Sequence, residues 1–285
     1  MPLSRDQAFL ALTALNHAFI ALDVYLAHSI SGTITTNEWI PILFGLAASI
    51  TLLGAGLIAL RNRPLATMLA NAILLCTVFV GALGAYFHLN RTVLLDQGLA
   101  SLEAVSALIW APPVTGPLFF VVIGILGISA AWIENPADSG ELMLLGRRTV
   151  RMPYSKTRAY MLITAIFILL TLIGSVLDHA RFHFANPWVW LPLTAALFGF
   201  ATCMFLGIVK EANREDIMTH AAAMLLLIVV GGIGLVLHVD ADLTASGAIV
   251  VERFLRGSPL MAPLLFCNAG LMGLLAMFAP GEQPR

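Results

Sequence analysis

The chain has 285 residues, 59% of them hydrophobic and 11% charged, with 15 Lys+Arg against 16 Asp+Glu and a formal net charge of -1. A soluble domain carries about 25% charged residues, so this chain lacks the polar groups to face water on all sides. A soluble enzyme, a secreted disulfide scaffold and a disordered tail are excluded, and the charge balance offers no basic excess for nucleic acid.

A membrane-spanning helix needs about 20 predominantly apolar residues. Eight stretches qualify, at 8–30, 40–60, 65–89, 114–133, 159–177, 189–209, 217–239 and 259–279. The runs are continuous rather than alternating, so they read as helices and not as barrel strands. The first is too long for a signal-peptide core and contains His17 and Asp23, so it reads as a retained helix. Eleven of the 15 basic residues fall on one side of the resulting topology, including the whole segment 147–158. That bias predicts a bacterial or archaeal cytoplasmic membrane, with both termini and a basic linker at 135–157 inside.

The two halves repeat. Asp23 and His28 match Asp178 and His183 at the same spacing, and Trp39-Ile40-Pro41 matches Trp190-Leu191-Pro192. Gly81, Gly84 and His88 match Gly231, Gly234 and His238; Glu103 matches Glu252; Pro113 and Pro117 match Pro259 and Pro263. Matches in the same order predict an all-α integral membrane protein of eight transmembrane helices, as two tandem, parallel-repeated four-helix units at 1–134 and 158–285.

The odd-numbered helices all run from inside to outside, so His28, His88, His183 and His238 are expected at one, exoplasmic, boundary. Ionisable groups at membrane depth are costly and usually functional, although a single interfacial histidine is more often a plain hydrogen-bonding residue. Asp23 and Asp178 sit five residues before their histidines and so do not share a helix face with them. Gly81, Gly84 and His88 do share a face, as do Gly231, Gly234 and His238, which predicts a shallow slot beneath each histidine. Paired imidazoles above such slots suit the axial positions of a b-type haem. The four histidines equally suit copper or zinc, with the aspartates orienting them. Between His88 and Pro113, apolar Leu95, Leu99, Leu102, Val105 and Ile109 recur at helical steps and predict an amphipathic surface helix bearing Glu103; Glu252 stands in the corresponding loop. Cys76, Cys203 and Cys267 form no CxxC or CxxCH, so neither a disulfide framework nor c-type haem is expected. No HExxH, Gly-rich phosphate loop or GxSxG elbow is present.

In architecture alone, the plan resembles haem A synthases, which have two four-helix halves with histidine pairs near the outer face, and NrfD-like quinone-binding membrane subunits. No motif matches either residue by residue, and the haem A synthase histidines lie on even helices, so no residue role is carried over. The expected function is a membrane redox protein holding haem or a transition metal through His28, His88, His183 and His238 and exchanging electrons with quinone. Asp23, Asp178, Glu103, Glu252, Gly84 and Gly234 would surround the cofactor. The alternatives are a proton- or ion-coupled transporter using Asp23 and Asp178, and a structural subunit of a respiratory-type complex.

Overall fold

The computed structural model describes residues 4–29, 34–90, 106, 109–110, 113–143, 148–244 and 259–279. Within them, the helices are α1 (Arg5–Ser29), α2 (Thr36–Ile58), α3 (Arg63–Leu89), α4 (Thr115–Ala131), α5 (Lys156–Ala180), α6 (Trp190–Ile208), α7 (Arg214–Thr244) and α8 (Met261–Ala276). Six of these, α1, α2, α3, α5, α6 and α7, are long and apolar enough to cross a membrane. The other two, α4 and α8, are apolar but shorter, at 17 and 16 residues, or about 25 Å at 1.5 Å per residue.

Local signals set the helix ends. The Asn62 side chain accepts from the Leu65 N–H at 3.1 Å, with Pro64 in the first turn of α3. Glu38 accepts from the Thr35 N–H at 2.7 Å ahead of α2, and the Ser155 hydroxyl accepts from the Arg158 N–H ahead of α5. Between the ends the helices are apolar on every side. Leu43, Ile50, Leu57 and Phe79 point outward, 59% to 72% exposed, while Phe9, Phe120, Tyr160, Phe167, Met224 and Leu227 are buried. Helices that are hydrophobic all round belong in a lipid solvent, and the chain has the character of an all-α, multi-pass integral membrane protein.

The helices pack most closely as α1 with α2, α3 with α4, α5 with α6 and α7 with α8. The α4 and α8 helices also reach α1 and α5 and so join the two halves. Glycine sets two of these approaches. A Cβ on Gly81 would lie 2.8 Å from the Pro117 carbonyl oxygen, and one on Gly231 would lie 2.7 Å from the Pro263 carbonyl oxygen.

The segment between the halves is not a bare linker. Strands β1 (Ile133–Glu134), β2 (Glu141–Met143) and β3 (Thr149–Arg151) form an antiparallel sheet in sequence order, with Ile133 opposite Met143 and Glu141 opposite Arg151. Glu134 organises it, one carboxylate oxygen accepting from Gly140 N–H at 2.8 Å and Lys156 N–H at 2.9 Å, the other from Asp138 N–H at 2.9 Å. Alongside lies a buried ionic cluster. Lys156 Nζ reaches Asp6 Oδ2 and the Trp132 carbonyl, each at 2.5 Å, and the Tyr160 hydroxyl donates to Asp6 Oδ1 at 2.8 Å. The Arg5 guanidinium donates to Thr157 Oγ1 at 2.5 Å and to the Phe278 carbonyl at 3.3 Å. Lys156 and Arg5 are each only 4% exposed; burial at that level is tolerable because each has charged or carbonyl partners. The cluster ties together α1, the sheet, α5 and the chain just past α8.

Candidate functional site

The opposite ends of α1, α3, α5 and α7 carry the histidines. His28 lies in the last turn of α1, and its Nδ1–H donates to the Val24 carbonyl at 2.8 Å. His88 lies in the last turn of α3, and its Nδ1–H donates to the Pro113 carbonyl, just ahead of α4, at 3.0 Å. A carbonyl oxygen only accepts, so each ring carries a proton on Nδ1. The two ring centroids are 6.2 Å apart with the planes inclined at 58°. Glu38, at the start of α2, lies 4.0 Å from His28 Nε2.

In the second half, His238 on α7 repeats the arrangement of His88, its Nδ1–H donating to the Pro259 carbonyl at 3.0 Å. His183 does not repeat that of His28. Helix α5 ends at Ala180, and His183 and Phe184 both take the left-handed conformation, each with φ 52°. His183 is exposed, and the expected His183–His238 pair does not form among the described residues. Its place near His238 is taken by His179, in the last turn of α5, and both imidazoles lie within electrostatic reach of Asp178. Asp178 also meets Arg181 at 3.7 Å, and Arg181 Nε donates to the Ile109 carbonyl at 2.7 Å.

The expected slots beneath the histidines are filled. A Cβ on Gly84 would lie 3.0 Å from Pro117 Cβ, and one on Gly234 would lie 3.2 Å from Pro263 Cβ. The missing side chains admit the next helix rather than a flat ligand. That close approach has its own consequence, since it brings the Pro113 and Pro259 carbonyls onto His88 and His238.

Asp23 and Asp178, from different halves, are within electrostatic reach of one another, and Asp23 also of His28. Glu103 and Glu252 lie outside the described residues, as does most of the amphipathic stretch around Glu103. Among the described residues, no three His, Cys, Asp or Glu side chains converge as a metal-binding group. Deeper in the bundle, His17 Nδ1–H donates to the Thr13 carbonyl at 2.7 Å and its Nε2 meets Thr77 Oγ1 at 2.9 Å. His220 is similarly held, between Thr202 Oγ1 and the Gly273 carbonyl, each at 3.2 Å. Asn268 Nδ2 donates to Asn16 Oδ1 at 2.8 Å, and Trp132 Nε1 donates to Asn71 Oδ1 at 2.9 Å. The Thr77, Gly273, Asn16–Asn268 and Trp132–Asn71 bonds among these tie one helix to another.

Four participants were hidden at the sequence level. Glu38 carries the acidic signature of a capping box, three residues after Thr35, which marks a helix start and conceals its approach to His28. The Pro113 and Pro259 carbonyls are backbone groups and leave no residue signal. His179 lacks a counterpart in the repeat. The chain matches no protein-family model, no curated protein and no solved structure.

Proposed function

We propose that this chain is a membrane redox protein that binds a b-type haem or a transition metal ion, copper or zinc, at its histidine end, with His28 and His88 as the ligands. In this reading its eight helices are two tandem four-helix units inserted the same way round, the histidine end faces outward, and both termini lie in the cytoplasm. Quinone, or the subunits of a respiratory-type complex, would be the electron partner.

The single observation that carries the proposal is the His28–His88 pair. Ligating histidines characteristically donate their second ring N–H to a carbonyl or carboxylate, which fixes the ring and leaves the other nitrogen basic. Both rings do so here. Two imidazoles bound through Nε2 to one metal at about 2.0–2.1 Å have ring centroids roughly 5–6.5 Å apart, depending on the angle at the metal. The 6.2 Å separation falls within that range, so the two rings are near enough to hold one metal ion or haem iron between them. The protein's part is to hold the two rings: the Val24 carbonyl aims His28, and the Gly84–Pro117 contact sets the Pro113 carbonyl that aims His88. The bound group would supply a reversible one-electron couple if it is haem or copper. In this reading Gly84 serves by positioning the Pro113 carbonyl, and Gly234 does the same for Pro259 beside His238.

The test is the absorption spectrum and metal content of the native protein, beside those of His88→Ala. A Soret band or stoichiometric copper, lost in His88→Ala with helix content unchanged, is the expected result; stoichiometric zinc lost in the same variant would keep the ligand pair and overturn the redox role, since zinc has no redox couple. Native protein with neither haem nor metal overturns it. A second reading rests on Asp23 and Asp178 lying within electrostatic reach across the halves: a proton- or ion-coupled transporter, in which the two carboxylates would bind the coupling ion. It predicts that Asp23→Asn and Asp178→Asn abolish ion flux into proteoliposomes in a protein that never carried a cofactor.

A further inference from the structure

At the end of the bundle opposite the histidines, an open groove of about 760 Å³ runs between the sheet and the helix ends. Arg151, Arg158 and Lys210 line it, with Tyr154, Ser155 and Asp138. Three cations around one concavity repel one another and are stable there only if water or an anion compensates them. Arg158 is fixed in place, its Nε and Nη2 donating to the Gly207 and Ile208 carbonyls at 2.9 and 2.6 Å, where they close the C-terminus of α6. Arg151 and Lys210 are exposed. Among the described residues the ion pairs of arginine and lysine are Arg5–Asp6, Lys156–Asp6 and Arg181–Asp178, so neither Arg151 nor Lys210 pairs with a described carboxylate. Glu141 stands opposite Arg151 in the sheet without pairing with it. Asp138, the one carboxylate among the described lining residues, accepts a hydrogen bond from Thr157 Oγ1 at 2.5 Å.

The groove's depth in the fold narrows the ligand. Lys210 lies just past the end of α6 and Arg158 in the first turn of α5, so on the membrane reading above the groove opens at the level of lipid headgroups. Its volume falls in the range of small-molecule sites, and an arginine fork from Arg151, the positive charge of Arg158 and a lysine together are a set that recognises phosphate. We infer that this groove binds a phosphate ester, as an anionic lipid headgroup or as a soluble phosphate compound, through Arg151, Arg158 and Lys210. The site is independent of any cofactor at the other end and rests only on the membrane placement of the helices.

The test uses the whole protein in nanodiscs of phosphatidylcholine with and without phosphatidylglycerol, with native mass spectrometry to count retained lipid and inorganic phosphate as a soluble competitor. Arg158 is left intact because it closes α6; the variant is the double substitution Arg151→Ala with Lys210→Ala, and Arg148→Ala, outside the groove, is the charge control. The expected result is retained phosphatidylglycerol that falls about tenfold or more in the double variant and is unchanged in Arg148→Ala. Retention that inorganic phosphate does not displace assigns the groove to lipid; displacement by inorganic phosphate, lost in the same double variant, assigns it to a soluble phosphate compound. Equal retention in wild type and double variant, or an equal fall in Arg148→Ala, overturns the inference.

Discussion

On α3 and α7, two histidines 150 positions apart give the same Nδ1 proton to the same kind of acceptor at the same 3.0 Å. On α1 and α5, histidines at the same distance from an aspartate end in different structures: His28 stays helical, and His183 turns out at φ 52°. The difference lies in the connections. His28 stands eleven residues before Trp39, whereas His183 stands only seven before Trp190. Asn186 precedes Pro187 and is extended, with φ -94° and ψ 114°, as the proline ring requires of its neighbour. With the last residues of the link committed to that geometry, α5 must stop early for the chain to reverse into α6. The links after His88 and His238 are longer, with 24 and 20 residues before Pro113 and Pro259, and α3 and α7 both continue past their histidines. A short link therefore overrides a repeated motif where a long one does not.

The largest expected effect follows from that asymmetry. If the cofactor reading is right, the protein carries one site per chain and not two. His88→Ala should empty it, and His183→Ala should leave it full, as measured by absorbance or metal content per chain. Two equivalents in the native protein, or loss of cofactor in His183→Ala, would break the comparison. The converse is a gain. Inserting four residues after Phe184 equalises the two links, so α5 can extend through His183, and a second equivalent of cofactor should appear. Its failure to appear, with His183 shown helical by spin-label mobility, would mean that the second half lacks more than ring placement.

Much of this fold could be read from the chain, because lipid as a solvent leaves few choices. Each helix coincides with an apolar run to within a few residues, since a run of Leu, Ile and Val must satisfy its backbone internally. The Asn268 and Asn71 ties were also legible, as polar amides inside apolar helices. The sheet at 133–151 was not, because its strands are two or three residues long and its organiser, Glu134, works through backbone N–H groups. Nor was the Asp6–Lys156–Tyr160 cluster, whose members are separated by about half the chain. At the site, the histidines could be seen and their pairing could not: spacing along a helix fixes depth, whereas pairing depends on where each helix ends. The glycines illustrate the same limit, since a strip without side chains reads identically whether a ligand or another helix fills it.

A smaller effect tests whether α3–α4 and α7–α8 are equivalent. Gly81→Ala and Gly231→Ala each push a Cβ to within 3 Å of the next helix's backbone. Overpacking of this kind costs about 1–3 kcal/mol, offset in part by the roughly 1 kcal/mol by which alanine favours a helix over glycine. Both variants should lose stability by the same amount in denaturant titrations, and Gly81→Ala alone should also weaken cofactor retention, because the move carries Pro113 away from His88. A clear inequality in stability would count against equivalent packing.

The smallest effect lies where the halves meet. Asn268 of α8 donates to Asn16 of α1 at 2.8 Å, and the carbonyl oxygen of Asn268 and the amide nitrogen of Asn16 are buried without a further partner. Hydrogen bonds between membrane helices average about 0.6 kcal/mol, since the separated helices find other partners. Removing one asparagine leaves the other still more exposed to the apolar interior, so a single variant overstates the bond. A double-mutant cycle on Asn16→Ala and Asn268→Ala cancels that cost and should return a coupling of about 0.6 kcal/mol, well below the effect of either glycine substitution. A coupling several times larger would make this contact a principal tie between the halves rather than one of several, beside the Arg5–Phe278 bond at the far end of the bundle. The second half could then not be treated as a unit that folds its own site, and the four-residue insertion would have to be made with Asn16 and Asn268 left in place.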